Sequence, residues 1–424
     1  MSSENRPLSG TVTVPGDKSI SHRAVMLGSI SEGRTVARDF LFSEDCLSTI
    51  SCFRDMGVDI TIDGKDVIID GVGLTGLKKP QKELYTGNSG TTTRIISGIL
   101  AGQDFDTVLN GDDSIQKRPM KRVIEPLSLM GADIRSIKDN GCAPLSIHGR
   151  NLSGITYHMP VASAQVKSAI LLAGLFAKGD TTVIEDVPSR NHTELMLKGF
   201  GADIETKGLV TTLHPGKELA GQEITVPGDI SSAAYFIGAA LITPGSDITV
   251  KNVGLNPTRD GIIRAFLAMG ADITLMNEHE TAGEKVADIR VRYSHLKGTV
   301  IEGDIIPALI DEIPLIAVAA AVSKGQTIIK DASELRVKES DRIELVSEGL
   351  KNMGADIVPK DDGFVINGVE KLHGADIRTQ KDHRIAMSFS VAALVSDGPV
   401  VTDDSECVKI SYPGFFEDLE RLKA

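Results

Sequence analysis

TVTVPGDKS at Thr11–Ser19 and EITVPGDIS at Glu223–Ser231 are nearly the same string, placed 212 residues apart. Each reads as a strand, a loop and the start of a helix. Related strand–loop–helix starts recur at Lys82–Arg94 and Gly154–Lys167, and others open near Gly298 and Gly374. The helices that follow are small and apolar on every face, as in Ala169–Ala177, Ala233–Leu241, Leu315–Val322 and Ile385–Leu394. A helix apolar all round is a buried helix, and several of them need surrounding layers that strands can supply.

A second signal lies between these elements. Gly-Val/Ala-Asp-Ile appears at Gly57, Gly131, Gly201, Gly270 and Gly354, at intervals of 74, 70, 69 and 84 residues. A further copy at Gly374 has no helical stripe before it. Three copies follow an apolar stripe at helical spacing: Val123, Leu127 and Met130; Ile262, Phe266 and Met269; Val346, Leu350 and Met353. The spacing predicts a helix ending at a Gly in the left-handed conformation, then a turn into a strand.

The chain begins with a strand lacking its helix and ends with a helix, Phe415–Leu422, lacking its strand, so the N-terminal strand is expected to complete the last unit. The fold class is therefore α/β (mixed α+β), with six repeat units, three per domain, and buried helices surrounded by sheets. The two VPGD segments are the expected crossovers and hinges. They give domain 1 as residues 16–228 and domain 2 as residues 1–15 plus 229–424. An open solenoid fits less well, because the period varies and known solenoid signatures are absent.

A length of 424 residues suits two or three domains. The net charge of −13 argues against nucleic acid or anionic membrane as partner, while leaving room for a locally positive cleft. Cys46, Cys52, Cys142 and Cys407 form no C-x-x-C pair and no zinc spacing. They read as reduced thiols. The opening MSSENRPLSG lacks a secretory h-region, and apolar runs such as Ala233–Ile242 are short of a membrane span. A cytoplasmic protein is expected.

Out-of-place polar residues gather where loops enter the buried helices: Lys18, Ser19 and Arg23; Asn88, Gly90 and Arg94; Ser163 and Gln165; Asp311 and Glu312; Asp382, His383 and Arg384. Singly, each is explained as a cap or surface ion pair. Together, helix starts facing one cleft would add partial positive charge to Lys and Arg, suiting ligands with several phosphates and carboxylates. Gly16–Ser19 imitates the end of a Walker A loop but has Asp17 where Gly is required, and no G-x-G-x-x-G follows a strand. Nucleotide binding is rejected.

VPGDKSISHRA (Val14–Ala24), GNSGTTTR (Gly87–Arg94), Lys117-Arg118-Pro119, SAQVKSA (Ser163–Ala169), SRNHTE (Ser189–Glu194), LRVKESDR (Leu335–Arg342) and KDHRIAM (Lys381–Met387) resemble, in order and along the whole chain, the EPSP synthases of the enolpyruvyl transferase family. The resemblance implies two domains of three βαβαββ units. It implies transfer of the enolpyruvyl group of phosphoenolpyruvate to the 5-hydroxyl of shikimate 3-phosphate, a step of chorismate and aromatic amino-acid biosynthesis. It implies that Lys18 contacts both substrates, and that Ser19 and Arg23 hold the carboxylate of shikimate 3-phosphate. Ser163, Ala164, Gln165, Ser189 and Arg190 would form the pocket for its phosphate and ring. Gly90, Arg118 and Gln165 would meet phosphoenolpyruvate, with Arg342 and Arg384 on its carboxylate. Asp311 would accept the hydroxyl proton beside Lys338, and Glu339 would protonate the methylene carbon. Carbon 2 of an enol phosphate is electrophilic only once carbon 3 takes a proton, so an acid and a base are both needed. No metal or organic cofactor is expected, the only partners are the small-molecule substrates, and a monomer is expected. His22, His192 and His383 are read as orienting or packing residues rather than proton carriers.

Three departures qualify the resemblance. Ala164 stands where some members have a second Ser, and Ile410 where some have a Lys, with Lys409 one residue earlier. Gly90 leaves room beside phosphoenolpyruvate, so glyphosate should inhibit. UDP-N-acetylglucosamine enolpyruvyl transferase is the nearest alternative, but Gly111–Pro119 lacks the Cys of that family. A non-catalytic anion-binding protein would not need Lys18, Asp311, Glu339, Arg342 and Arg384 intact. An RNA-end-processing relative fits poorly with the acidic charge.

Overall fold

The computed structural model describes residues 6–281 and 283–423. The chain divides into two compact units. Domain 1 is Gly16–Val226 with Thr281–Gly283; domain 2 is the chain up to Pro15, Pro227–Glu280 and Glu284 onward. The second crossing therefore lies between Val226 and Pro227 rather than after Gly228. Each unit has its own hydrophobic core.

Domain 1 carries helices α1 (Lys18–Ser29), α2 (Glu44–Asp55), α3 (Gly90–Ala101), α4 (Lys121–Leu129), α5 (Ala164–Gly174) and α6 (His192–Gly199). Domain 2 carries α7 (Ile230–Ile242), α8 (Gly261–Ala268), the single turn α9 (Ile306–Leu309), α10 (Ile313–Ala321), α11 (Arg342–Asn352), α12 (His383–Ala392) and α13 (Phe415–Leu422). Every residue of α7 and α10 is buried, as their all-apolar sequences require. In domain 1, α3 and α5 approach so closely that a Cβ on Gly98 would collide with the carbonyl of Ala169. The stripes Val123/Leu127, Ile262/Phe266 and Val346/Leu350 are buried in α4, α8 and α11, with Met130, Met269 and Met353 at their C-caps. The glycines that follow all have φ between +82° and +96°. That is the left-handed exit expected from the repeat.

Among the described residues, five four-stranded sheets built to one plan lie around the helices. In the sheet of Leu84–Tyr85, Asp106–Asn110, Leu145–His148 and Asp133–Ser136, in that spatial order, the first pair is parallel and the others antiparallel. The parallel pair brackets buried helix α3, a βαβ crossover. The sixth unit is curtailed: Ala375–Ile377 and Val400–Thr402 pair around α12, and α13 replaces the hairpin.

The N-terminal strand, Ser9–Thr13, does not complete that last unit. It pairs parallel with Asp247–Gly254, which follows α7. Reciprocally, Glu223–Thr225 precedes α7 yet pairs with Glu32–Arg38, which follows α1. The two VPGD segments thus exchange edge strands between the first units of the two domains. After each exchanged strand Asp17 and Asp229 cap α1 and α7, accepting from the amides of Ile20 and Ser231 at 2.9 and 3.1 Å. Gly16 is required just before, because a Cβ there would strike the carbonyl of Asp39.

Candidate functional site

In domain 1 the buried helices α1, α3 and α5 begin with polar residues that are tied to one another. Lys18, first in α1, ion-pairs with Asp45 in the first turn of α2. Arg23, nearly buried, donates to the Ser19 carbonyl at 3.0 Å, to Ser168 on α5 at 2.8 Å and to Thr193 on α6 at 2.6 Å. Its guanidinium therefore fastens three helices as well as lying beside Ser19. Ser163 stands at the N-cap of α5 without a side-chain capping bond, followed by Ala164 and Gln165.

The start of α3 gathers two guanidinium groups. Gly90 is its first residue, and a Cβ there would come within 2.7 Å of Arg94 Nη1 and 3.0 Å of Arg118 Cζ. Arg94 donates to Gln165 Oε1 at 2.8 Å, and Gln165 donates to Thr91 at 3.1 Å. A helix N-terminus with two guanidinium groups is suited to a phosphate or carboxylate.

Ser189 and Arg190 lie in the loop before α6. The Ser189 amide donates to Glu185 at 3.1 Å, and Glu185 pairs with buried Lys167 at 2.7 Å.

Domain 2 gathers the acids. Arg342, first in α11 and only 1% exposed, is the organising group. Its Nε donates to Asp382 at 2.8 Å, its Nη2 to Glu339 at 2.7 Å, and its Nη1 reaches Asp311 at 3.3 Å. Lys338 Nζ lies 3.4 Å from the same Asp311 oxygen. Burial opposes the charge on Arg342, but Asp382, Glu339 and Asp311 raise its pKa above the ordinary value. Burial likewise opposes the Asp382 carboxylate, and Arg342 outweighs it, leaving the pKa lowered. Arg384 sits 3.6 Å from buried Glu312, which also accepts from Ser231 on α7. Glu312 stands at the N-cap of α10 without a side-chain capping bond.

Several expected residues are thus brought together within each unit: Lys18, Ser19 and Arg23; Gly90, Arg118 and Gln165; Asp311, Lys338, Glu339, Arg342 and Arg384. Arg342 is more enclosed than a simple clamp on a ligand carboxylate, being spent largely on three carboxylates. Lys409 is solvent-exposed and pairs with Glu406 on its own turn. His22 is buried against Thr49 at 2.7 Å, and burial together with Lys18 and Arg23 lowers its pKa well below 6.5. Among the described residues no group of His, Cys, Asp and Glu has the arrangement of a metal site.

Sequence reasoning missed Asp45, Lys167, Glu185, Glu194 and Ser231. Asp45 reads as an ordinary first-turn acid. Lys167 left a signal, as the lone charge in the otherwise uncharged helix AQVKSAILLAG.

A family model described as EPSP synthase (3-phosphoshikimate 1-carboxyvinyltransferase) matches residues 3–419. The 3-phosphoshikimate 1-carboxyvinyltransferase of Thermoanaerobacter sp. (strain X514) is 55% identical, covering 99% of each chain. That of Oceanobacillus iheyensis is 52% identical over 98% of this chain and 97% of its own. The EPSP synthase structure from Acinetobacter baumannii superposes with a TM-score of 0.89 at 49% identity, covering 99% of this chain and 96% of that one. With that match spanning both domains and every segment that carries the polar helix starts, the chain belongs to the EPSP synthase family.

Proposed function

We propose that the protein transfers the enolpyruvyl group of phosphoenolpyruvate to the 5-hydroxyl of shikimate 3-phosphate, releasing phosphate. The observation that carries the chemistry is the Arg342 guanidinium, which holds Asp311 and Glu339 in one cluster beside Lys338. Asp311 takes the proton of the attacking hydroxyl, while Glu339 gives one to carbon 3 of the donor. The hydroxyl oxygen then bonds to carbon 2, forming a tetrahedral adduct that keeps carboxylate and phosphate. In the second half carbon 3 returns its proton to Glu339, the double bond re-forms, and the carbon 2–oxygen bond to phosphate breaks as phosphate carries away the proton Asp311 took. Arg342 fixes both carboxyl groups through both steps at no reorganisation cost.

The remaining assignments follow the chemistry of each seat. Gly90, Arg118 and Gln165 receive the donor phosphate, and Arg384, with Arg342 behind it, the donor carboxylate. Ser19 and the outer edge of Arg23 meet the shikimate carboxylate. Ser163, Ala164, Gln165, Ser189 and Arg190 hold its phosphate and ring, and Lys18 contacts both substrates. The protein is proposed to act in the cytoplasm as a monomer on small molecules alone. The acidic charge and four free cysteines support the cytoplasmic reading, and among the described residues no helix is long and apolar enough to cross a membrane.

The test is phosphate release. Shikimate 3-phosphate plus phosphoenolpyruvate should liberate phosphate, and UDP-N-acetylglucosamine should not substitute. Release with the sugar nucleotide alone would overturn the assignment.

A further inference from the structure

Beneath the loop that carries Ser189 and Arg190 lies a buried ionic cluster that none of the chemistry above uses. Lys167, in the first turns of α5, is 2% exposed. Its Nζ lies 2.7 Å from Glu185 and 2.7 Å from Glu194, which flank the loop on either side. Nζ also reaches the Ser189 carbonyl at 3.5 Å, while the second oxygen of Glu185 accepts the Ser189 amide at 3.1 Å. Both backbone groups of Ser189 are therefore held by the cluster.

The neighbouring residues repeat the connection. Ser168, next to Lys167 on α5, bonds Thr193, next to Glu194 on α6, at 2.6 Å. Two consecutive residues of one helix are thus latched to two of the other. One cation between two carboxylates is a costly thing to bury. Apolar replacements of a buried ion cluster are often neutral or stabilising, so folding alone does not call for it.

We propose that Lys167, Glu185 and Glu194 are positioning residues for the phosphorylated acceptor. They fix the Ser189–Arg190 loop against the N-terminus of α5, where Ser163 and Gln165 lie. The cluster then sets the spacing of the two segments that grip the 3-phosphate, without touching it. This inference rests on the reading that those segments bind shikimate 3-phosphate.

The experiment is steady-state phosphate release by the full-length protein, varying each substrate with the other saturating. Glu185→Gln keeps the size and one acceptor oxygen but removes the charge facing Lys167. Its KM for shikimate 3-phosphate should rise roughly tenfold, while kcat and the KM for phosphoenolpyruvate stay within about twofold. Glu194→Gln should do the same, and Glu185→Ala, which also loses the Ser189 amide, should raise that KM further. Calorimetric titration with shikimate 3-phosphate should show matching losses of affinity. If folded Glu185→Ala binds the acceptor as the wild type does, the proposal is wrong. A fall in melting temperature with both KM values moving together would equally overturn it, marking the cluster as structural. Failure of the wild-type protein itself to use shikimate 3-phosphate would instead sink the underlying reading.

Discussion

Gly90 opens α3 at a point where any side chain meets two guanidinium groups. The Cβ of Gly90→Ala would lie 2.7 Å from Arg94 Nη1 and 3.0 Å from Arg118. Both are ends of flexible side chains, so the helix survives and the arginines shift. The expected outcome is a KM for phosphoenolpyruvate raised several-fold and glyphosate inhibition weakened by roughly tenfold or more, measured as KM and inhibition constant on one preparation. Asp311→Ala removes the carboxylate proposed to accept the hydroxyl proton and leaves Lys338 and Arg342 without it. Turnover should fall by about 10²–10⁴-fold, with calorimetric affinity for shikimate 3-phosphate retained. Near-wild-type turnover would remove Asp311 from the mechanism.

The helix-to-strand exits were legible because one residue type has one physical reason to be there. Gly270 has φ +87° and nothing within 4 Å of where a Cβ would be. Gly270→Ala therefore adds backbone strain and no collision, and should destabilise by about 1 kcal/mol in denaturant titration with kcat unchanged. The buried helices were equally plain, since α7 and α10 have no polar face to misread. Their polar starts were legible as a set, because the same position in each repeat was marked. What escaped was pairing that joins distant segments. Asp45 meets Lys18 only because α2 packs on α1, and the partners of Lys167 lie 18 and 27 residues further on. Strand partnership failed for the same reason: Ser9–Thr13 carries an alternating pattern that says strand, and nothing in it names Asp247–Gly254 as the neighbour.

Acid should act on the whole molecule in two stages. His22 is buried and its folded-state pKa is well below 6.5, through burial and the charges of Lys18 and Arg23. The unfolded chain therefore binds that proton first, so this contribution to stability is complete above pH 6.5 and is lost as pH falls toward the folded value. The slope cannot exceed about 1.4 kcal/mol per pH unit for one group. Asp382, whose pKa is lowered from 3.8, contributes above 3.8 and loses its share only below that. Unfolding free energies measured from pH 7 downward should decline already below 6.5, and His22→Gln should flatten that first decline. A truncated chain beginning at Val14 tests the exchanged strand. It leaves the edge of Asp247–Gly254 unpaired, and light scattering should detect more self-association than in the full chain measured alongside.

That exchange also sets a timetable for synthesis. Ser9–Thr13 leaves the ribosome long before the segment it pairs with, which begins at Asp247. At roughly 5–20 residues per second the wait is on the order of 10–50 s. Glu32–Arg38 waits almost as long for Glu223–Thr225. The first sheet of domain 1 cannot close until Glu223–Thr225 has emerged, and Ser9–Thr13 must be kept from foreign strands until Asp247–Gly254 has been made.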